Sequence, residues 1–284
     1  MPQRQNFKAM PGLKALIFDL DGTMADTEEV HRCAFNAAFA DFDLGWHWSR
    51  VHYAELLAIS GGRERLEHYA RQQGLAETRV HFPAFIQQLH TAKTQHFRRM
   101  LRLRPVPLRT GVLRLLREAR ATHLPLAIAT SSSLGNVMQI LNTALPEGWA
   151  RWFTVIGCSD VVSEKKPSPA VYQYVLDRLG VSGGECIAVE DTPNGHRAAS
   201  AAGIGTVITL NGYTRNRNFP GALLVIDALG EPEWPFQAVA GDARNGCYVD
   251  LALLRTLLSS RSQPCVPRRS EPGIAPTVMP GPAP

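Results

Sequence analysis

Cysteine is sparse and scattered. The five, at positions 33, 158, 186, 247 and 265, include no Cys-x-x-Cys pair, so neither a zinc ribbon nor a redox motif is supported. An odd, dispersed set of thiols suits a reducing compartment, and a cytoplasmic location is expected. Long apolar runs are also missing. None approaches the roughly 20 residues needed to cross a bilayer, which removes the membrane as a partner. The first strand-like run opens near residue 14, leaving too little sequence ahead of it for a signal peptide. Nor do the basic residues form a long run with aromatics between them, so nucleic acid is not an expected partner. They do outnumber the acidic residues, 30 to 25, for a formal net charge of +5. A surplus of that kind suits the handling of a small anionic molecule. The remaining composition is that of a globular chain with a real core, 45% hydrophobic and 19% charged over 284 residues. That length makes one large domain or two smaller ones, and a monomer is expected.

One stretch carries more information than any other: Leu16-Ile17-Phe18-Asp19-Leu20-Asp21-Gly22-Thr23. Its apolar start reads as a short buried strand. Asp19 and Asp21 follow at alternate positions, and a regular strand would turn both carboxylates the same way. Two like charges that close are unfavourable unless a proton separates them or a cation joins them. One divalent ion would serve, and Mg²⁺ typically takes one or two carboxylates plus phosphate oxygens and water. The plain alternative is an exposed Asp-x-Asp-Gly turn. A position directly behind a buried strand argues against it.

From residue 28 to about 103 there is almost no strand signal. Val30, Ala34, Phe35, Ala38 and Phe39 recur at helical spacing, as do Phe85, Leu89, Ala92, Phe97 and Leu101, with Gly61-Gly62 breaking the segment. These stripes read as a small helical core, and the segment as a second unit inserted after the first strand. Beyond it, strands are expected over 124–130, 152–157, 186–190, 205–210 and, last, 222–226. Helices are expected over 111–122, 135–144, 167–179 and 196–202. Such alternation argues for a parallel sheet covered on both faces. The expected organisation is core over 1–27, helical insertion over 28–103, core again over 104–235, and a C-terminal extension over 236–284. The first 13 residues should fray. The extension should hold a helix over 249–258 and be disordered from about residue 260, where Ser, Pro and Arg dominate.

Open parallel sheets bind ligands beyond the carboxyl ends of their strands. Asp21, Thr130 and Glu190-Asp191 all fall at such ends. Thr130 either caps its strand or hydrogen-bonds an anion. Lys166, before Pro167, is either solvated or neutralises developing charge. Adjacent carboxylates at a strand end are costly without a cation, which favours a metal at Glu190 and Asp191. In the insertion, Glu28, His31, Arg63 and Arg65 are candidate ligand contacts, the arginines being either solvated or suited to grip an anion. Ser132 and Asn136, after Thr130, face a ligand or, for the serine, cap a helix.

Taken together over residues 14–232, Asp19-x-Asp21, Thr130, Lys166-Pro167 and Glu190-Asp191 resemble, in order and spacing, the four motifs of the haloacid dehalogenase-like phosphatases. The resemblance implies an α/β fold, with a Rossmann-like doubly wound parallel-sheet core and an inserted α-helical cap. It implies Mg²⁺ held by Asp19, the Asp21 backbone carbonyl, Glu190 and Asp191. Asp19 is then the nucleophile that forms an aspartyl-phosphate, and Asp21 the general acid and later the base. Thr130 and Lys166 contact the phosphoryl group. The insertion looks like the cap of the subgroup containing beta-phosphoglucomutase and phosphoglycolate phosphatase. Within that subgroup, Asp21-Gly22-Thr23-x-Ala25-Asp26-Thr27-Glu28 and Ile59-Ser60-Gly61-Gly62-Arg63-Glu64-Arg65 are similar to the CbbY family of Calvin-cycle phosphatases, as are Ala127-Ile128-Ala129-Thr130-Ser131-Ser132 and Leu229-Gly230-Glu231-Pro232. That likeness implies xylulose-1,5-bisphosphate, an inhibitory by-product of Rubisco, as substrate. Asp26, Glu28, His31, Arg63, Arg65, Ser131, Ser132 and Asn136 become its expected contacts. The cap motif often reads Gly-Gly-Lys; here Arg63 keeps the charge but replaces a point charge with a planar fork. A sugar phosphomutase shares every residue named, and phosphoglycolate is a second possible substrate. A catalytically silent binding protein would lack Asp19 or Asp21, and neither is missing.

Overall fold

The structure, a computed structural model, describes residues 12–261. Strand β1, Ala15–Phe18, is wholly buried because its alternate residues enter two different layers. Leu16 and Phe18 join the larger core, and Ala15 and Ile17 the smaller one on the opposite face. The other strands are β2 (Leu126–Ala129), β3 (Val155–Gly157), β4 (Cys186–Glu190), β5 (Gly205–Thr209), β6 (Leu224–Ile226) and β7 (Ala238–Gly241). They form one sheet in the order β3-β2-β1-β4-β5-β6-β7. The first six are mutually parallel, and β7 pairs antiparallel with β6. From β1 the chain builds outward first through β2 and β3, then through β4, β5 and β6. The crevice at the carboxyl end of β1 is therefore a topological switch point, where such sheets bind ligands.

Between β1 and β2 run five helices: α1 (Glu28–Asp41), α2 (Arg50–Leu56), α3 (Gly62–Gln72), α4 (Leu75–Thr78) and α5 (Phe82–Leu103). Phe35, Phe39, Trp48, Tyr53, Leu66, Phe85 and Leu89 give them a largely aromatic core of their own. The lower end of α5 turns Phe97 and Leu101 into the main core instead. Helices α6 (Val112–Ala121), α7 (Leu134–Ala144) and α10 (Leu251–Arg261) cover one face of the sheet. Helices α8 (Ala170–Leu179) and α9 (Pro193–Ala201) cover the other. The chain is thus an α/β protein with a doubly wound sheet and a helical insertion between its first two strands. Among the described residues no helix is long and apolar enough to cross a membrane.

Three expectations change. Strand β3 is shorter than 152–157, because Trp149–Trp152 winds into a 3₁₀ turn that buries Trp149. The strand near residue 226 is not the last. The edge strand β7 has all four residues exposed, so no apolar alternation marks it. The C-terminal helix does not end at residue 258 but continues to Arg261, with Leu251, Leu253, Leu254, Leu257 and Leu258 buried in the main core. Residues 260 and 261 are therefore helical. The rest of the segment expected to be disordered, 262–284, lies outside the described residues, as do residues 1–11.

Candidate active site

The core half of the site hangs on the ends of β1, β2 and β4. Lys166 Nζ lies 2.7 Å from Asp19 Oδ1 and 2.5 Å from Glu190 Oε1, and it donates to the Ala129 carbonyl at 2.8 Å. It is only 4% exposed, so it is not a solvated surface lysine. Tyr172 donates to Glu190 Oε1 at 2.6 Å. Asp191 is held by both oxygens, accepting from Thr23 Oγ1 at 3.1 Å and from Asn211 Nδ2 at 2.7 Å. Asp19, Glu190 and Asp191 each bring one carboxylate oxygen within 4.8 Å of the others. Burial pushes Asp19 well above the usual carboxylate range; Lys166 opposes the rise, and Glu190 adds to it. Burial does the same to Asp191, reinforced by repulsion from Asp19 and Glu190. Three carboxylates facing one lysine in a dry site leave an excess of negative charge. A divalent cation relieves that excess, so the donor set fits one.

Asp21 reaches the site by a different route from the strand alternation expected of it. Regular pairing of β1 ends at Phe18, and a turn through Gly22, at φ +80°, carries the chain on. Only glycine fits there, since a Cβ would lie 2.3 Å from Asp191 Oδ2. Asp21 accepts from Thr27 Oγ1 at 2.5 Å, from Ser132 Oγ at 2.5 Å and from His31 Nε2 at 3.1 Å. On its far side His31 Nδ1 is 2.7 Å from Lys93 Nζ. Asp21, held as a carboxylate, can only accept, so Nε2 carries the proton pointed at it, and in the neutral ring Nδ1 accepts from Lys93, which can donate in either protonation state. Burial and the nearby Lys93 hold His31 below its ordinary value, consistent with that state. Burial and Arg65 lower Lys93 itself to about 7. For Asp21 burial acts upward, but the bonds from His31, Ser132 and Thr27 outweigh it and keep the group well below the carboxylate range.

A cavity of about 360 Å³ separates this floor from the helical insertion. Asp19, Asp21, Thr130, Ser131, Ser132, Asn136 and Lys166 line it from the core, and Glu28, His31, Arg63 and Arg65 from the helices. Glu190 and Asp191 do not line it; they are fully buried beside Asp19, within 4.8 Å of it. Thr130 combines both of its readings: Oγ1 accepts from the Ser132 N–H at 3.1 Å, tying the turn, while the residue faces the cavity. The helix N-cap is Ser133 rather than Ser132. Asn136 is 8% exposed, and its Oδ1 has no partner among the described residues.

One expected contact is corrected, and a second is held by partners of its own. Asp26 does not line the cavity. Its side chain is 62% exposed and sits 3.4 Å from Arg109 Nε, because the bridge between Ala25 and Leu108 turns it outward. Arg65 lines the cavity, but three of its five N–H donors are already committed, to Leu56 O, Ile59 O and Tyr53 Oη. Arg63, by contrast, is exposed and has no hydrogen-bond or ion-pair partner among the described residues. Sequence reasoning also missed Lys93, His90, Lys165, Tyr172 and Asn211. Lys93 did leave a signal: it falls four residues after Leu89 and four before Phe97, a lysine on the apolar stripe of α5. His90 is driven down to about 3 by burial and by Lys93, Lys165 and Arg63, a sign of how positive this end of the cavity is.

Residues 16–209 match the haloacid dehalogenase-like hydrolases. The chain belongs to that family. Among its relatives, the plasmid-encoded CbbY protein of Cupriavidus necator is 45% identical over 245 residues, 86% of this chain and 96% of that protein. CbbY of Cereibacter sphaeroides is 38% identical over 77% of this chain and 94% of its own length. Among solved structures, a mutant CbbY from Rhodobacter sphaeroides in complex with xylulose-1,5-bisphosphate superposes with a TM-score of 0.71. It shares 37% identity and covers 76% of this chain and 94% of its own. As a haloacid dehalogenase-like hydrolase with this buried floor, the chain is a phosphatase.

Proposed function

We propose that the chain is a Mg²⁺-dependent sugar-phosphate phosphatase acting on xylulose-1,5-bisphosphate through an aspartyl-phosphate on Asp19. The observation that carries this reading is the cavity that joins Asp19 and Lys166, with Glu190 and Asp191 buried beside Asp19, to Asp21 and to a cationic wall from the helices. The CbbY relatives, and the CbbY structure with that bisphosphate, support the choice of sugar.

Asp19, the Asp21 backbone carbonyl, Glu190 and Asp191 would hold the ion. Bound there, it supplies positive charge to the phosphoryl oxygens and shields them from Asp19. Lys166, fixed by Asp19 and Glu190, adds a second positive charge against the phosphoryl group. Asp19 attacks phosphorus, the bond to the sugar oxygen breaks, and Asp21 delivers a proton to that oxygen. In the ligand-free site Asp21 is held as a carboxylate. A phosphate dianion arriving beside it raises its proton affinity, as any close like charge does. In the second half, water attacks phosphorus and gives its proton to Asp21. The bond to Asp19 breaks, releasing inorganic phosphate. The Lys93–His31 pair fixes the proton-bearing His31 Nε2 toward Asp21 in both halves. Helices α1 to α5 act as a cap domain over residues 28–103, excluding water while Arg63 reaches the distal phosphate.

The test is release of free phosphate from the bisphosphate with no added activator, stopped by chelation and restored by Mg²⁺. Asp19→Asn should abolish it while circular dichroism stays unchanged. Wild-type turnover in that variant, freshly prepared and checked for deamidation, would remove the nucleophile. An isomerised sugar phosphate with no free phosphate would make the protein a mutase instead.

A further inference from the structure

The metal reading leaves unexplained a buried guanidinium on the side of the site away from the cavity. Arg109 lies where the chain returns from the helices to the core. Its Nη1 donates to the Gly22 carbonyl at 2.5 Å, to Thr209 O at 3.1 Å and to Thr209 Oγ1 at 2.9 Å. Its Nη2 donates to Leu210 O at 2.5 Å and to Asp227 O at 2.9 Å. One side chain thus collects four backbone carbonyls from three separate strand ends. The outgoing crossover is tied to the same point: Arg109 N donates to Met24 O at 2.9 Å, Ala25 bridges Leu108, and Nε faces Asp26.

The Gly22 carbonyl has a second donor, Asn211 Nδ2 at 3.2 Å, and that same nitrogen is 2.7 Å from Asp191 Oδ2. A short polar path therefore runs from Arg109 through one carbonyl and one amide to a carboxylate of the acidic triad. Gly22 is also the residue directly after Asp21, so fixing its carbonyl fixes the turn that presents both aspartates. Planar donors suit this arrangement. An ammonium could meet some of these carbonyls but not two diverging sets in one plane.

We propose that the Gly22 carbonyl is a node through which Arg109 and Asn211, as positioning residues, set the affinity of the site for its divalent ion and register that site against both crossovers. The proposal rests on the metal site assigned above. Groups that orient metal ligands typically change affinity about 10- to 100-fold when removed.

The experiment is calorimetric titration of Mg²⁺ into the full chain without substrate, for wild type, Arg109→Lys, Asn211→Ala, the double variant of these two, and Arg114→Lys. Arg114 is the control. It also binds a carboxylate, Glu231, and two carbonyls, Gly230 O and Val249 O, but away from the triad. The expected result is a Mg²⁺ dissociation constant raised about tenfold or more in Arg109→Lys and in Asn211→Ala, with less than their product in the double variant. Arg114→Lys should lower the melting temperature yet leave the constant within about threefold of wild type. If Arg109→Lys binds Mg²⁺ like wild type, or if Arg114→Lys weakens binding equally, the node is wrong. Should Arg109→Lys fail to fold, Asn211→Ala decides, and wild-type binding there overturns the proposal. Wild type that binds no divalent ion overturns the metal site itself, an outcome distinct from unaffected variants.

Discussion

Replacing Arg63 or Arg65 by alanine should have opposite consequences, although only one residue separates them. Arg65 is 7% exposed. Its Nε donates to Leu56 O at 3.1 Å, Nη2 to Ile59 O at 3.1 Å and Nη1 to Tyr53 Oη at 3.0 Å, and the guanidinium lies 5.1 Å above the Tyr53 ring. Truncation strands these acceptors. At about 1–1.5 kcal/mol per hydrogen bond the loss is roughly 3–5 kcal/mol. For a chain of this size that lowers the melting temperature on the order of 10 °C. What activity remains should fall in parallel on all substrates, because the helical wall loosens as a whole. Arg63 makes no such bonds, and as a surface change Arg63→Ala should alter stability by less than about 0.5 kcal/mol. Its loss should instead remove one charge-assisted contact to a distal phosphate, worth about 2–3 kcal/mol, or roughly 30- to 150-fold in kcat/KM for a bisphosphate. A small monoester such as p-nitrophenyl phosphate has no distal phosphate and should lose far less. Melting curves with kcat/KM on both substrates make the assay. If Arg63→Ala loses equally on both, it serves closure and not recognition. If it loses on neither, a monophosphate such as phosphoglycolate becomes the better substrate. If Arg65→Ala melts like wild type, the structural role argued for it fails.

Two further outcomes test the framework. Lys93 gives up its proton near 7 when folded, against an ordinary value of 10.5. Between those values the unfolded chain binds more protons than the folded one, so stability should rise with pH from about 7 to 10 relative to Lys93→Met. Urea unfolding of both proteins across that range checks this, and parallel pH profiles would refute it. Ending the chain after Asp250 removes the five buried leucines of α10. At about 1.5–3 kcal/mol each they contribute an amount comparable to the whole stability of a domain. The shortened protein should show no cooperative melt, and an unchanged transition would show α10 to be dispensable.

Much of the core half was legible from local pattern. Buried strands, the carboxylates and threonine at their ends, and Lys166 before Pro167 are short-range features, and parallel strands placed side by side bring their carboxyl ends to one edge. The helical insertion was equally visible, because a period near four and an absence of strand signal need no tertiary information. Contacts between residues far apart in the chain were not legible. Nothing local distinguishes Arg63 from Arg65; only the carbonyls of Leu56 and Ile59 and the hydroxyl of Tyr53, folded back over α3, decide that one is structural and the other free. Asp26 turns away from the cavity because Leu108, more than eighty residues later, bridges its neighbour Ala25. The edge strand β7 and the leucines of α10 acquire their places from partners on β6 and in the main core. Arg109 gathers three strand ends, and it meets Asn211 at the Gly22 carbonyl, through partners distant in sequence. Sequence alone determined which chemical groups this protein carries to the switch point of its sheet. Tertiary structure decided which of them have hydrogen-bonding capacity left for a ligand, because that capacity depends on every donor and acceptor packed around each group.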